Sequence, residues 1–362
     1  MTAESELIQK RQEVKGEILA LKETILSARI FNQLGRAFKP NSFGYWLSVF
    51  VLLNLIVIVP TLLVGLAFKE ITKLSSVFVY GLVATEVVVF AIVIAHVAVC
   101  LIFDDIANQI IEKINNVDDL SKLLLWFKQT WSMQNVSVIA NSFCLIWVIS
   151  GVGALSFFIH QFVGFGFLVW CVLNGLLAGV LMYILLWASL LAFNLKEYQY
   201  EMNTFSPADS EIINDISEML MRSIYVLAVA AAIITLVITS SLFDQQIRIT
   251  FSVPMLVICW AIIASQFFLT RSTLGAITNR AKWVPLNRIQ KKINALEAAG
   301  DLSDKDTAER LFRLADIHKQ IMASKTNTLD LKSVSTLFSQ LMLPLLGLLL
   351  GNLDKVLKLL SK

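Results

Sequence analysis

Six apolar stretches constrain this chain more than any other feature. They run from Gly44 to Phe68, Ser76 to Phe103, Val136 to His160, Phe162 to Phe193, Ser223 to Phe243 and Ile249 to Leu269. A helix rises 1.5 Å per residue, so ~20 apolar residues cross the ~30 Å of hydrocarbon in a bilayer. Each stretch meets that length. The expected class is therefore an all-α, polytopic integral membrane protein, a bundle of six helices arranged as three hairpins with a helical cytoplasmic layer.

Composition supports that class. The chain is 57% hydrophobic and 16% charged, whereas a soluble domain carries about 25% charged residues. Of its 30 Lys and Arg, all but Lys69, Lys73 and Arg248 lie in the N-terminal segment, the two long loops and the C-terminal region. The positive-inside rule assigns those parts, and both termini, to the cytoplasm. A multi-pass protein of the plasma (inner) membrane is expected, with a small outer face.

The organisation follows. Residues 1–43 read as a cytoplasmic amphipathic helix, with Leu7, Val14, Ile18, Leu21, Ile25 and Ala28 in one stripe that Arg11 interrupts. That stripe either lies on the chain's own cytoplasmic side or pairs as a coiled coil. Residues 44–270 form the bundle, with helical cytoplasmic loops at 104–131 and 195–222. In the first loop Asp118 is the expected helix cap. In the second, Ser206 before Pro207 signals a helix start that continues into the fifth span as one rod. Residues 271–332 read as a helical hairpin, with Gly300 ending one helix and a capping box at Ser303 opening the next. Residues 333–362 are apolar but interrupted by Pro344, Gly347 and Gly351. A seventh span would carry Lys355, Lys358 and Lys362 outside, so a C-terminal helix at the inner interface or capping the bundle is expected.

Polar residues inside the spans are the candidate site, because they are costly there and serve function or pairing. Glu86 sits near the middle of the second span, and no Lys or Arg occurs at a similar depth. His96 lies ten residues on, about 15 Å nearer the cytoplasm. Protonated, Glu86 can donate to Asn54, Asn141, Asn174 or Gln266. It then serves either as a station on an ion or proton path, with His96 as a second, or as a hydrogen-bonded tie between helices. Gly175 and Gly179 form a GxxxG pattern in the fourth span, and Ala228 and Ala232 repeat the spacing in the fifth. Such spacing lets backbones approach closely, within one chain or between chains. Pro60 and Pro254 are expected kinks.

Charge marks a third feature. The loops 104–131 and 195–222 are acidic, whereas Arg280, Lys282, Arg288, Lys291 and Lys292 follow the sixth span. This basic run is expected to hold anionic lipid headgroups, to dock on the acidic loops, or to stand solvated.

Several chemistries find no residues to carry them. There is no GxxxxGK[ST] loop, no HExxH, and His96, His160 and His318 are scattered. Cys100, Cys144, Cys171 and Cys259 all fall within spans without ligand spacing, so reduced, buried thiols are expected. No cofactor, metal or nucleic acid is expected, and no enzymatic activity. Two functions stay open: permeation of an ion or small solute by an oligomeric channel or transporter, and a membrane scaffold or signalling component that binds cytoplasmic partners.

Overall fold

The structure is a computed structural model that describes residues 3–39, 42–68, 75–154, 164–239, 245–298, 305–323 and 331–352. It is all-helical, with no strand among the described residues; Ile114 and Tyr200 form one isolated bridge. Six helices are long and apolar enough to cross a membrane.

Two short helices open the chain, α1 (Ala3–Thr24) and α2 (Leu26–Leu34). The first apolar helix is α3 (Phe43–Ala67). Its cap is Ser42, whose hydroxyl accepts from the Tyr45 amide at 3.2 Å. The helix continues through Pro60. The second, α4 (Ser75–Asp105), winds directly into a π turn, Ile106–Ile110, and a 3-10 turn, Ile111–Lys113. These changes of pitch turn Ile106, Ala107, Ile110 and Ile111 inward, and all four are fully buried. Next comes α5 (Val117–Thr130), which is capped by Asn116 rather than the expected Asp118. The Asn116 side chain accepts from the Asp118 amide at 3.0 Å. An asparagine between an extended residue and the first helical turn supplies the acceptor one residue pair earlier.

The remaining apolar helices are α6 (Met133–Ala154), α7 (Phe165–Leu195), α8 (Glu211–Thr239) and α9 (Gln245–Ala298). Ser206 does not cap α8 as its place before Pro207 suggests. Its hydroxyl bonds the Asp209 carboxylate, residues 207–209 make a 3-10 turn, and α8 starts at Glu211. From there α8 is one uninterrupted rod. So is α9, whose 54 residues pass through position 270 without a break. At 1.5 Å per residue it is ~80 Å long.

Beyond it, α10 (Lys305–Ala323) packs back along α9, and Lys282 donates to the Met322 carbonyl at 2.7 Å. The Gly300 cap and the capping box at Ser303 lie outside the described residues. The last helix, α11 (Leu331–Gly351), runs lengthwise against α8 and α9. Leu337, Leu341 and Leu343 pack with Ile224, Ala228, Cys259 and Phe267, and Trp260 donates to the Leu341 carbonyl at 3.0 Å. Further along, Gly347 meets the Ala232 carbonyl so closely that a β-carbon would collide with it. The contacts place α11 beside α8, where Gly347 and the small residues Ala228 and Ala232 let the two backbones close together.

Two packed regions result. One is a basal layer in which α1, the π turn, α5, the near ends of α4, α7 and α8, and the middle of α9 share a single apolar core. Trp187 at its centre is 1% exposed; it stacks on Phe103 at 5.6 Å and meets Trp131 at 5.1 Å. Aromatic pairs of this kind add about 0.5–1.5 kcal/mol each beyond their buried area. The other region is the apolar bundle above it. The N-terminal stripe is consumed in the basal layer: Val14 and Ile18 on α1, Ile25 at its junction with α2, and Ala28 on α2 are buried against the chain itself. Little of that stripe remains for a coiled coil.

Candidate functional site

The apolar bundle brings together some of the polar residues singled out from sequence and separates others. Asn54 on α3 donates through Nδ2 to Glu86 Oε2 on α4 at 3.2 Å, and also to the Phe50 carbonyl at 3.0 Å. Asn54 is 6% exposed, and its Oδ1 is buried without a hydrogen-bond partner among the described residues. Glu86 itself is exposed. It stands on a stripe of α4 with Phe90, Val97 and Leu101, all turned away from the core. Thus Glu86 is tied to a neighbour yet lies on the outside of the bundle.

Its chain neighbour Thr85 points the opposite way. The Thr85 hydroxyl accepts from the Trp170 indole at 2.9 Å and from Asn174 Nδ2 at 3.1 Å. Asn174 is fully buried, and its Oδ1 has no partner among the described residues. This cluster pins α7 to α4. Asn174 therefore belongs with Thr85, not with Glu86. Asn141 is exposed on α6 and donates to Ser137 at 3.2 Å on its own helix. Gln266 donates to Ser189 on α7. Of the four amides within reach by sequence, only Asn54 meets Glu86.

His96 is 5% exposed and sits apart, near the basal layer. Its ring packs on Phe31 at 4.4 Å and Trp46 at 6.3 Å, and Cys100 Sγ lies 3.5 Å from Nε2. His96 borders a cavity of about 710 Å³ between α1, α2 and the adjacent ends of α3 and α4. All four cysteines are free.

Both glycines of the GxxxG pattern face α6. A β-carbon on Gly175 would press Cys144 at 3.1 Å, and one on Gly179 would collide with the Ala140 backbone. The close approach is therefore made within the chain.

The basic run after the sixth apolar stretch divides. Lys282 is 7% exposed and spent on the Met322 carbonyl. Arg280 donates to the Glu197 carbonyl at 2.8 Å. Arg288 lines a second cavity, of about 360 Å³, together with Arg280, Tyr198 and Tyr200. Burial pushes the Tyr198 and Tyr200 phenols up from their ordinary value. Lys291 and Lys292 are exposed. Among the described residues, Arg280, Arg288, Lys291 and Lys292 form no ion pair with an acid of the two acidic loops.

Helix α1 supplies part of that pairing, which the sequence reading missed. Lys22 holds both Asp104 oxygens at 2.8 and 2.9 Å, Lys15 meets Glu112 at 3.7 Å, and Lys128 meets Glu17. Arg11 explains its own place in the apolar stripe. Its Nε and Nη2 donate to the Ile114 carbonyl at 3.2 and 2.8 Å, where the chain leaves helical geometry before α5. The signal for this was the alternation of Lys and Glu along α1 beside the acids of 104–131.

No group of His, Cys, Asp and Glu able to hold a metal ion occurs among the described residues. No family model, curated protein or solved structure matches the chain.

Proposed function

We propose that this is an oligomeric membrane protein that passes an ion or small solute, with Glu86 and Asn54 on the path. The observation that carries the reading is the Glu86–Asn54 pair on the outward stripe of α4. Intramembrane carboxyls almost always face a bundle interior or a watered cavity. A single copy leaves this one on its outer surface, so neighbouring copies supply the cover. The unpartnered Oδ1 of Asn54 adds a second oxygen acceptor beside the carboxyl. Together they suit a proton or a small cation better than an anion. In this reading the basal layer is cytoplasmic, as the distribution of Lys and Arg implies.

The test is flux through liposomes reconstituted with wild type or Glu86→Gln. The substitution keeps the hydrogen bond to Asn54 and removes the charge. Flux that is lost or changes its ion preference supports the reading. Flux that survives unchanged removes Glu86 from the path. Absence of flux from folded protein, across pH, ion type and membrane tension, overturns permeation.

A second reading is a scaffold or signalling component that binds a cytoplasmic protein. Its support is α10, which stands out from the basal core and exposes Phe312 by 73%. Retention of a partner that Phe312→Ser releases, with no flux at any condition, would favour it.

A further inference from the structure

We infer that the cavity beside His96 is a seat for the headgroup of a zwitterionic phospholipid. It rests on the bundle being embedded in a membrane, and not on permeation. The cavity opens between α1, α2 and the adjacent ends of α3 and α4, with a volume of about 710 Å³. Four charged side chains line it. Lys22 and Asp104 neutralise each other through two bonds of 2.8 and 2.9 Å. The other two, Glu23 and Arg36, are exposed, and neither has an ion-pair partner among the described residues. One unpaired acid and one unpaired guanidinium in a shared cavity ask for a ligand bearing both signs. Guanidinium suits a phosphate, through paired N–H donors. A carboxylate suits an ammonium.

The rest of the lining fits the same occupant. Tyr45 donates to Asn32 Oδ1 at 3.1 Å, which leaves the Asn32 amide N–H groups for phosphate oxygens. Trp46 meets Tyr45 edge-on at 5.1 Å, at the start of the first apolar helix. Aromatic side chains of this kind sit at the headgroup level of a bilayer. Gly35 matters here, because a β-carbon would collide with the Tyr45 ring and push it from the wall. From the cavity, Leu101, Val97 and Phe90 continue along the outer stripe of α4. That exposed apolar track is where an acyl chain would lie. The shared chemistry is a phosphodiester joined to an ammonium; the track favours a lipid over a soluble ester.

The experiment follows the thermal unfolding midpoint of detergent-purified protein titrated with dioleoyl-phosphatidylethanolamine. Dioleoyl-phosphatidylglycerol and free phosphoethanolamine are titrated in parallel. A saturable rise with phosphatidylethanolamine is expected, and Arg36→Gln and Glu23→Gln should each weaken it about tenfold, or ~1.4 kcal/mol. Both side chains are exposed and unpaired, so the lipid-free midpoint should stay put. Phosphatidylglycerol should bind more weakly and ignore Glu23→Gln. A phosphatidylethanolamine response unchanged in both variants overturns the site. Equal stabilisation by phosphatidylglycerol overturns the zwitterion. Equal affinity for free phosphoethanolamine overturns the lipid and assigns the cavity to a soluble ester.

Discussion

At the scale of single residues, Arg11 ties α1 to the Ile114 carbonyl through two N–H donors. A charge in the middle of an apolar stripe reads as an interruption. In the structure it closes an open carbonyl at Ile114, where the π and 3-10 turns give way to extended backbone. A hydrogen bond from a charged donor contributes about 1.5–3 kcal/mol. Arg11→Ala is therefore expected to lower stability by roughly that amount, and Arg11→Lys by less, since one ammonium replaces a two-pronged donor. Chemical unfolding of the three proteins checks the order. Glu86 teaches a related lesson. Asn54 was among its candidate partners, and the two meet. Which of the four amides it meets was not legible, since that depends on how α3, α6 and α7 rotate about their axes.

At the scale of elements, the small-residue spacings were legible as close contacts but not as to their partners. Gly175 and Gly179 bring α7 onto α6, whereas Ala232 brings α8 onto α11, a helix whose placement the sequence left to charge rules. Substituting a glycine that faces backbone forces whole helices apart, because no rotamer can yield. Gly347→Ala and Gly179→Ala should each cost about 1–3 kcal/mol. Gly275→Ala, with open space around it, should cost nothing and stabilises α9 if anything. Thermal midpoints of the three variants in one detergent test this. The segment after α7 makes a separate prediction. Tyr198 and Tyr200 are held neutral by burial, with phenols raised above 10.0. The unfolded chain releases those protons first. Their contribution is complete below about pH 10, the unfolded value, and is lost as pH rises beyond it. Alkaline titration should therefore loosen the basal layer, and Tyr198→Phe should blunt the effect.

For the whole molecule, six long apolar helices were plain from the sequence, because length and composition alone decide them. The basal layer was legible only in pieces. Its stripes on α1 and α5 could be read, but their shared core around Trp187 is assembled from residues more than a hundred positions apart. The run of α11 beside α8 has a topological consequence. If both cross the membrane in parallel, position 352 lies on the face opposite the basal layer. A cysteine at Asn352, in a background without the native four, should react with an impermeant maleimide from the side that leaves a cysteine at Lys15 untouched. Labelling of both from one side would return 333–362 to the inner interface. The burial of the stripe along α1 and its junction with α2 carries a consequence for synthesis. Val14, Ile18 and Ile25 are synthesised before the faces of α5 and the π turn that cover them, which follow about a hundred residues later. Two hydrophobic helices have to be handed to the bilayer in the meantime. Throughout that interval this segment carries a bare greasy flank, which invites either a chaperone or a transient stay on the lipid surface.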